Sequence, residues 1–108
     1  MFSEGKTEEA IQRYLTALRF QPTLAEAHGN VGVALASQGR VAEAIRHYTA
    51  ALQLQPRSVT ARYNLGVALA RQGRLAEAQY HFAEILRLDP THAAARQFLE
   101  SRIREGAR

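Results

Sequence analysis

The feature that most constrains this chain is an internal repeat of 34 residues. Residues 25–58 align without a gap on residues 59–92, and 17 of the 34 aligned positions are identical. The same offset places Tyr14 under Tyr48. Self-similarity at a fixed period of this size indicates a repeat architecture, in which each unit packs on its neighbours. One unit used about three times therefore accounts for nearly the whole chain of 108 residues.

Both copies carry the same skeleton, which has a glycine within its first half, a small residue four positions before an aromatic one, and a closing proline. The copies read His28-x2-Val31-Gly32-x2-Leu35, Ala44-x3-Tyr48, Pro56 and Arg62-x2-Leu65-Gly66-x2-Leu69, Ala78-x3-Phe82, Pro90. This skeleton resembles the tetratricopeptide repeat, a helix–turn–helix unit of 34 residues. The resemblance implies an all-α solenoid of antiparallel helix pairs, with about six helices in this chain. The copies depart from the family's pattern at His28 and Arg62, where Trp is usual.

Glycine and proline divide the chain into six predicted helices. Proline ends a helix because it cannot donate the next backbone hydrogen bond, and glycine ends one by adopting the left-handed conformation. A capping box of Thr23 with Glu26 is expected to start the second helix, Ser58 to cap the fourth and Thr91 to cap the sixth. The expected ranges are Thr7–Phe20, Leu24–Gln38, Val41–Leu54, from Ser58 to about Gln72, Leu75–Leu88 and His92–Arg104.

The repeat boundaries follow from the same offset within a single domain. Residues 1–24 form a partial first repeat, 25–58 the second, 59–92 the third and 93–108 a closing helix. Because the chain begins in mid-repeat, just before Gly5, we expect it to be a fragment of a longer protein. The closing helix is expected to pack Leu99 and Ile103 inward and to present a polar outer side, as the end of a solenoid requires.

Two glycines lie in the middle of predicted helices, where glycine costs about 1 kcal/mol relative to alanine. We expect this cost at Gly32 and Gly66 to be offset by a close approach of the paired helix at Ala44 and Ala78. This is a structural role and not a phosphate-binding loop.

The first helix of each pair is expected to line a concave groove, as in stacked repeats. Asn30 and its repeat partner Asn64 lie on the helix face opposite the packed residues. In members of the family that this chain resembles, such an asparagine reaches the backbone of an extended peptide, since an amide both donates and accepts. The predicted partner-binding residues are Glu26, Asn30, Val33, Ser37, Thr60, Tyr63, Asn64, Val67, Arg71 and Phe98.

One subtype of the resembled family binds the C-terminal carboxylate of heat-shock chaperones through two basic residues on the third groove helix. The matching positions here are Ala94 and Phe98. Neither side chain carries charge, so the sequence does not predict binding of chaperone tails.

Several kinds of chemistry have no support in the sequence. There is no cysteine, so disulfides and thiolate metal sites are excluded. The four histidines, His28, His47, His81 and His92, lack the ligand set of a zinc site, and we interpret them as solvated. No hydroxyl is linked by spacing to a histidine and an acid. We therefore expect a non-enzyme without catalytic residues, cofactor or metal. No apolar run approaches the about 20 residues of a membrane span, so membrane insertion is not expected, and the compartment stays open.

The net charge of +4 comes from 13 arginines, one lysine and 10 acidic residues. The arginines are spread over nearly every helix, and Lys6, Arg40 and Arg74 recur at the repeat interval. We interpret them as surface charge, partly offset by glutamates in the first helical turns. Nucleic-acid binding is the less favoured alternative, because the aromatic residues belong mostly to the packed faces.

The function that the sequence favours is binding of a protein or peptide, as a scaffold or adaptor. Two alternatives stay open: a substrate-recruiting arm of a larger enzyme, and self-association through the N-terminal edge. The second rests on an apolar face of the first helix, with Ile11, Tyr14 and Leu18, together with Phe2. A complete repeat would cover that face with a preceding helix.

Overall fold

The computed structural model describes residues 4–106, and within that range it contains six α-helices and no strand. The helices are α1 (Glu4–Phe20), α2 (Ala25–Ser37), α3 (Val41–Leu54), α4 (Val59–Arg71), α5 (Leu75–Leu88) and α6 (Ala93–Gly106). The predicted all-α arrangement is confirmed. Each helix packs on the next along the chain, and α2 also contacts α4. The result is an elongated stack of 46 × 28 × 21 Å.

The turns that close α2 and α4 require glycine. Gly39 and Gly73 have φ values of 78° and 76°, which favour glycine because it has no Cβ. Beyond Gly39, the Arg40 amide donates to Leu35 O at 2.9 Å, and the Gly39 amide donates to Ala36 O at 3.0 Å. The second turn repeats this pattern. These paired bonds satisfy carbonyls at the helix end and direct the chain back into the next helix.

The helix starts differ from one repeat to the next. Ser58 caps α4 as predicted, since its Oγ accepts from the Ala61 amide at 3.1 Å. The prediction for Thr23 is wrong, because Leu24 is the N-cap of α2 and makes no side-chain cap bond.

The prediction for Thr91 is also wrong. His92 precedes α6, and its Nδ1 accepts from the Ala95 amide at 3.2 Å. Thr91 instead donates both its amide and its hydroxyl to Asp89 Oδ1, which stabilises the turn before the helix.

The first helix starts at Glu4 rather than at Thr7, so Gly5 lies inside α1. Gly5 is not in the left-handed conformation that Gly39 and Gly73 adopt. That conformation serves to reverse the chain after a helix, and no helix precedes Gly5 in the described residues. Helical hydrogen bonding therefore continues through this position.

The core lies between successive helices, and the mid-helix glycines are part of it. A Cβ on Gly32 would lie 2.5 Å from Cε1 of Tyr48, and one on Gly66 would lie 3.1 Å from Cζ of Phe82. The expected neighbours Ala44 and Ala78 are fully buried, but they are not among the nearest atoms. The close approach is therefore made by an aromatic ring, one helical turn beyond each alanine.

The two ends of the stack differ from expectation. Ile11 and Leu18 are buried, and Tyr14 is partly buried against the same core. Leu99 packs on the core as expected, but Ile103 is 68% exposed. Its repeat partners Leu35 and Leu69 are buried because a helix follows each of them, whereas no helix follows α6 within the described residues.

Candidate functional site

Three adjoining cavities lie along the face formed by α2, α4 and α6. The largest, about 790 Å³, is lined by Thr7, Ala10, Tyr14, Asn30, Val33, Ala34, Ser37, Gln38 and Arg40. The second, about 540 Å³, is lined by Tyr63, Val67, Ala70, Arg71, Phe82, Ala94, Gln97, Phe98 and Ser101. The third, about 270 Å³, is lined by Val33, Ala36, Tyr48, Tyr63, Asn64, Val67, Ala68 and Arg71.

The cavities share walls and therefore form one groove. Val33 lines both the 790 Å³ and the 270 Å³ cavities. Tyr63, Val67 and Arg71 line both the 270 Å³ and the 540 Å³ cavities. We call this continuous surface the concave groove. It runs from α1 and α2 across α4 to α6.

Eight of the ten predicted binding residues lie in the walls of the concave groove. The eight are Asn30, Val33, Ser37, Tyr63, Asn64, Val67, Arg71 and Phe98. Glu26 and Thr60 are exposed on α2 and α4 but lie outside these linings. The fold thus brings most of the predicted set to one surface.

The asparagines provide uncommitted polar groups in this groove. Asn30 and Asn64 are half-buried, and neither amide makes a hydrogen bond to another described residue. A free amide can accept from a backbone N–H and donate to a backbone C=O of a ligand. The closing helix breaks this row, because the same offset places Phe98 where the second and third repeats have asparagine.

The C-terminal part of the groove is aromatic. The ring centroids of Phe82 and Phe98 lie 4.4 Å apart, and those of Tyr63 and Phe82 lie 5.8 Å apart in an edge-to-face arrangement. Tyr63 also packs on His92, at 5.2 Å. Phe82 is buried, whereas Tyr63 and Phe98 are half-buried. A ligand side chain entering here would therefore meet ring surfaces.

Sequence reasoning missed several lining residues. Tyr14 was assigned to an apolar face that lacks a covering helix and was not included in the groove, but it lines the largest of the three cavities. Gln97 was also missed, although the 34-residue offset maps it onto Tyr63. Arg40 was placed on a turn edge and contributes to the groove end. Carrying every groove position on into the closing helix would have found Gln97.

The prediction of solvated histidines is wrong for His28 and His47. Both are half-buried, and their Nδ1 atoms lie 3.2 Å apart. His28 Nε2 donates to Pro22 O at 3.0 Å. In a neutral His28 the Nδ1 atom must then accept, so His47 Nδ1 donates. Burial lowers the pKa of His47, and the positive charge of a protonated His28 would lower it further.

In the third repeat, an arginine makes the contact that His28 makes with Pro22 in the second. Arg62 Nη2 donates to Pro56 O at 3.2 Å, and Nη1 donates to His81 Nδ1 at 3.0 Å. Burial lowers the pKa of His81, and the nearby Arg62 lowers it further. In α6, Arg96 donates to Pro90 O in the same way. We call this recurring contact the turn brace; it occupies the positions where the resembled family usually has Trp.

Two members of the basic row at the turn edge, Arg40 and Arg74, form ion pairs with glutamates. Arg40 makes two hydrogen bonds to Glu43, at 2.8 and 3.0 Å, and lies 3.6 Å from Glu8. Arg74 makes the same pair of bonds to Glu77. These bonds lower the pKa of each glutamate. Both arginines thus have their charge largely balanced.

The described residues provide neither a metal site nor a membrane-spanning helix. No group of three or more His, Cys, Asp or Glu side chains between residues 4 and 106 is placed to hold a metal ion. Among the helices of that range, none is both long and apolar enough to cross a bilayer.

A stack of antiparallel helix pairs with an open concave groove defines the chain as an α-solenoid of the interaction-module class. The Tetratricopeptide repeat model matches residues 32–93, and the TPR repeat model matches residues 1–39. The first match covers more than half of the chain. The chain belongs to the tetratricopeptide repeat family. A search of curated protein sequences returned no match.

Solved structures with the same fold include two domains with bound peptides. The first TPR of Spaghetti (RPAP3), bound to the HSP90 peptide SRMEEVD, matches with a TM-score of 0.87 and 24% identity over 97% of this chain and 83% of that one. The second TPR domain of human RPAP3, in complex with the HSP70 peptide SGPTIEEVD, gives 0.81 and 28% over 91% and 82%. The Arabidopsis OM64 TPR domain gives 0.81 and 22% over 90% and 80%.

Proposed function

We propose that this chain binds an extended peptide segment of a partner protein in the concave groove. The observation that carries the proposal is the continuous groove, with the free amides of Asn30 and Asn64 in its walls. An extended peptide exposes unpaired backbone groups along its length, and such groups need partners when they leave water. The two amides supply partners that do not depend on the peptide's sequence. The role is that of an adaptor and not of a catalyst.

The similar structures support this class of ligand. The second TPR domain of human RPAP3, 28% identical to this chain, is in complex with a peptide. The carboxylate clamp expected for such chaperone tails has uncharged Ala94 and Phe98 at its basic positions here. A C-terminal carboxylate would therefore find no basic side chain at these two positions of this chain.

The test is the double substitution Asn30→Ala with Asn64→Ala. Peptides selected on the wild-type chain from a random octapeptide phage library serve as probes. We expect the double variant to bind them about tenfold more weakly, because two backbone hydrogen bonds are lost at about 0.5–1.5 kcal/mol each. The unfolding midpoint should change little, since neither amide has a hydrogen-bond partner to lose among the described residues, and substitutions away from such contacts shift stability by less than about 0.5 kcal/mol.

The matched control is Gln12→Ala with Gln53→Ala, which removes two exposed amides on α1 and α3 outside the groove. This control should bind like the wild type. Equal affinity of the wild type and the Asn30→Ala, Asn64→Ala variant would overturn the proposal.

Self-association is the second candidate, favoured by one observation. Tyr14 is only partly buried, whereas its repeat partner Tyr48 is 4% exposed and packs on Gly32 of α2. A second copy that covers Tyr14 would bury this ring. The burial of Ile11 and Leu18 removes much of the apolar face on which the expectation rested, and Phe2 lies outside the described residues. Light scattering across concentrations, with Tyr14→Glu for comparison, tests this prediction; a strictly monomeric wild type contradicts it.

A further inference from the structure

Arg71 occupies a junction in the concave groove. It lines both the 270 Å³ and the 540 Å³ cavities, and its side chain is exposed at the end of α4. Its Nη1 donates to Ala36 O of α2 at 3.5 Å, the outer limit of a hydrogen bond. In contrast to Arg40 and Arg74, no carboxylate of the described residues lies within ion-pair distance of it.

The walls around Arg71 contain no balancing charge. Among the described residues that line the three cavities, the charged side chains are Arg40 and Arg71, and none is Asp or Glu. The charge of Arg40 is taken up by Glu43 and Glu8. Arg71 therefore provides the uncompensated charge of the groove, and this charge is positive. An arginine in such a place presents a planar fork that fits a carboxylate.

An aromatic wall lies in the same cavity as Arg71. Phe98 and Tyr63 present half-buried rings there, packed against buried Phe82. Packing of an apolar side chain of a ligand against such rings is favourable, because it buries apolar surface. The guanidinium and the rings share one cavity, so a ligand can engage both with neighbouring residues.

From this arrangement we infer that the C-terminal half of the groove selects a peptide in which a bulky apolar side chain lies within two residues of an aspartate or glutamate. The apolar side chain packs on Tyr63 and Phe98, and the carboxylate pairs with Arg71. Successive residues of an extended chain are about 3.3 Å apart, so a separation of one or two residues fits a shared cavity. This inference rests on the proposed function and specifies the chemistry of its ligand.

The octapeptide library tests the inference without a known partner. Peptides selected on the 108-residue chain should be enriched in an aromatic or branched aliphatic residue next to, or two residues from, Asp or Glu. For a synthetic version of one selected peptide, replacing its Glu by Gln should weaken binding to the wild type about fivefold, as for a partly exposed charge-assisted pair. Arg71→Gln should remove this discrimination, so that both peptides bind it equally.

Arg57→Gln is the matched control, because it removes the same charge from an exposed arginine outside the cavity linings. It should keep the fivefold discrimination. Phe98→Ala should relax the preference for the bulky side chain while keeping that for the acid. Raising the salt concentration should weaken binding of the Glu peptide more than that of the Gln peptide.

The outcomes separate the two proposals. Selected peptides that need Asn30 and Asn64 but show no acidic preference, or an acidic preference that survives Arg71→Gln, would overturn the inference and leave the proposed function standing. Selected peptides that bind the Asn30→Ala, Asn64→Ala variant as well as the wild type would overturn both. Submicromolar binding of a labelled single-stranded oligonucleotide at physiological salt, with no peptide enriched, would assign Arg71 and the rings to nucleic acid instead.

Discussion

The two complete repeats share one backbone arrangement but hold it with different side chains. In the repeat of residues 25–58, the turn brace is a histidine pair, His28 and His47. In the repeat of residues 59–92, it is Arg62 with His81. Both braces donate to the carbonyl of the proline that precedes the helix. The bonded carbonyl is the same in both repeats, whereas the donor is an imidazole in one and a guanidinium in the other.

The repeats also differ in how tightly their two helices meet. The ring of Tyr48 comes closer to Gly32 than the ring of Phe82 comes to Gly66. A Cβ at Gly32 would fall within 3.0 Å of ring atoms, whereas one at Gly66 would be tight but not overlapping. A side chain at Gly32 therefore requires the ring of Tyr48 to move, while one at Gly66 requires Phe82 to move by only a few tenths of an ångström.

The largest expected effect follows from this difference. Gly32→Ala should destabilise the chain by about 2 kcal/mol, because overpacking a buried site costs about 1–3 kcal/mol. Gly66→Ala should cost less, since a shift of a few tenths of an ångström is offset by the gain of about 1 kcal/mol in helix propensity. Urea unfolding measures both. A larger loss for Gly66→Ala than for Gly32→Ala would contradict this difference between the two helix crossings.

Gly29→Ala is the control for these substitutions. Gly29 lies in α2 with no atom within 4 Å of an added Cβ. Only the helix propensity changes there, so stability should rise by up to about 1 kcal/mol.

The helix starts provide a second, smaller comparison. Leu24, Ser58 and His92 occupy the same repeat position, but only Ser58 and His92 accept a bond from the helix amides. Ser58→Ala should destabilise the chain by about 1 kcal/mol, as the loss of an N-cap does. Leu24→Ser should add about 0.5 kcal/mol by supplying the missing cap. Thermal unfolding measures both changes. A loss of stability in Leu24→Ser would show that the packing of the Leu24 side chain stabilises the chain more than the new cap bond does.

These comparisons mark what the sequence could predict. The 34-residue offset, Gly39, Gly73 and the prolines were enough for six helices and for most of the groove, because they act through local backbone geometry. The braces were missed, since His28 and His47 are 19 residues apart and their contact depends on how two helices pack. The neighbour of Gly32 was misplaced by one helical turn for the same reason. A periodic pattern specifies which face packs, but not which atom on the facing helix comes closest.

The smallest expected effect is a pH dependence that arises from the braces. The pKa values of His47 and His81 are lowered, chiefly by burial. An unfolded histidine has a pKa of about 6.5, so lowering the pH protonates the unfolded chain first. Stability should therefore be fully present above about pH 6.5 and be lost as the pH falls through the lower pKa values of the folded state. The loss should stay below about 1 kcal/mol for each brace, since a neutral hydrogen bond contributes about that much.

The pH effect can be separated from the ion pairs. The pKa values of Glu43 and Glu77 are lowered by hydrogen bonds from arginine, so these pairs are lost only below the ordinary glutamate range, near pH 4.3. Unfolding free energies between pH 8 and 5 therefore report on the histidines. The double substitution His47→Asn with His81→Asn places a non-titrating amide near the position that each Nδ1 atom occupied. It should flatten the pH dependence of the unfolding free energy, while His28 and His92 remain. Each single variant should remove part of the pH dependence. The two parts should differ in size, because the charge of Arg62 beside His81 is permanent, whereas the charge of His28 beside His47 appears only on protonation. An undiminished slope in the double variant would show that the braces do not couple the fold to pH.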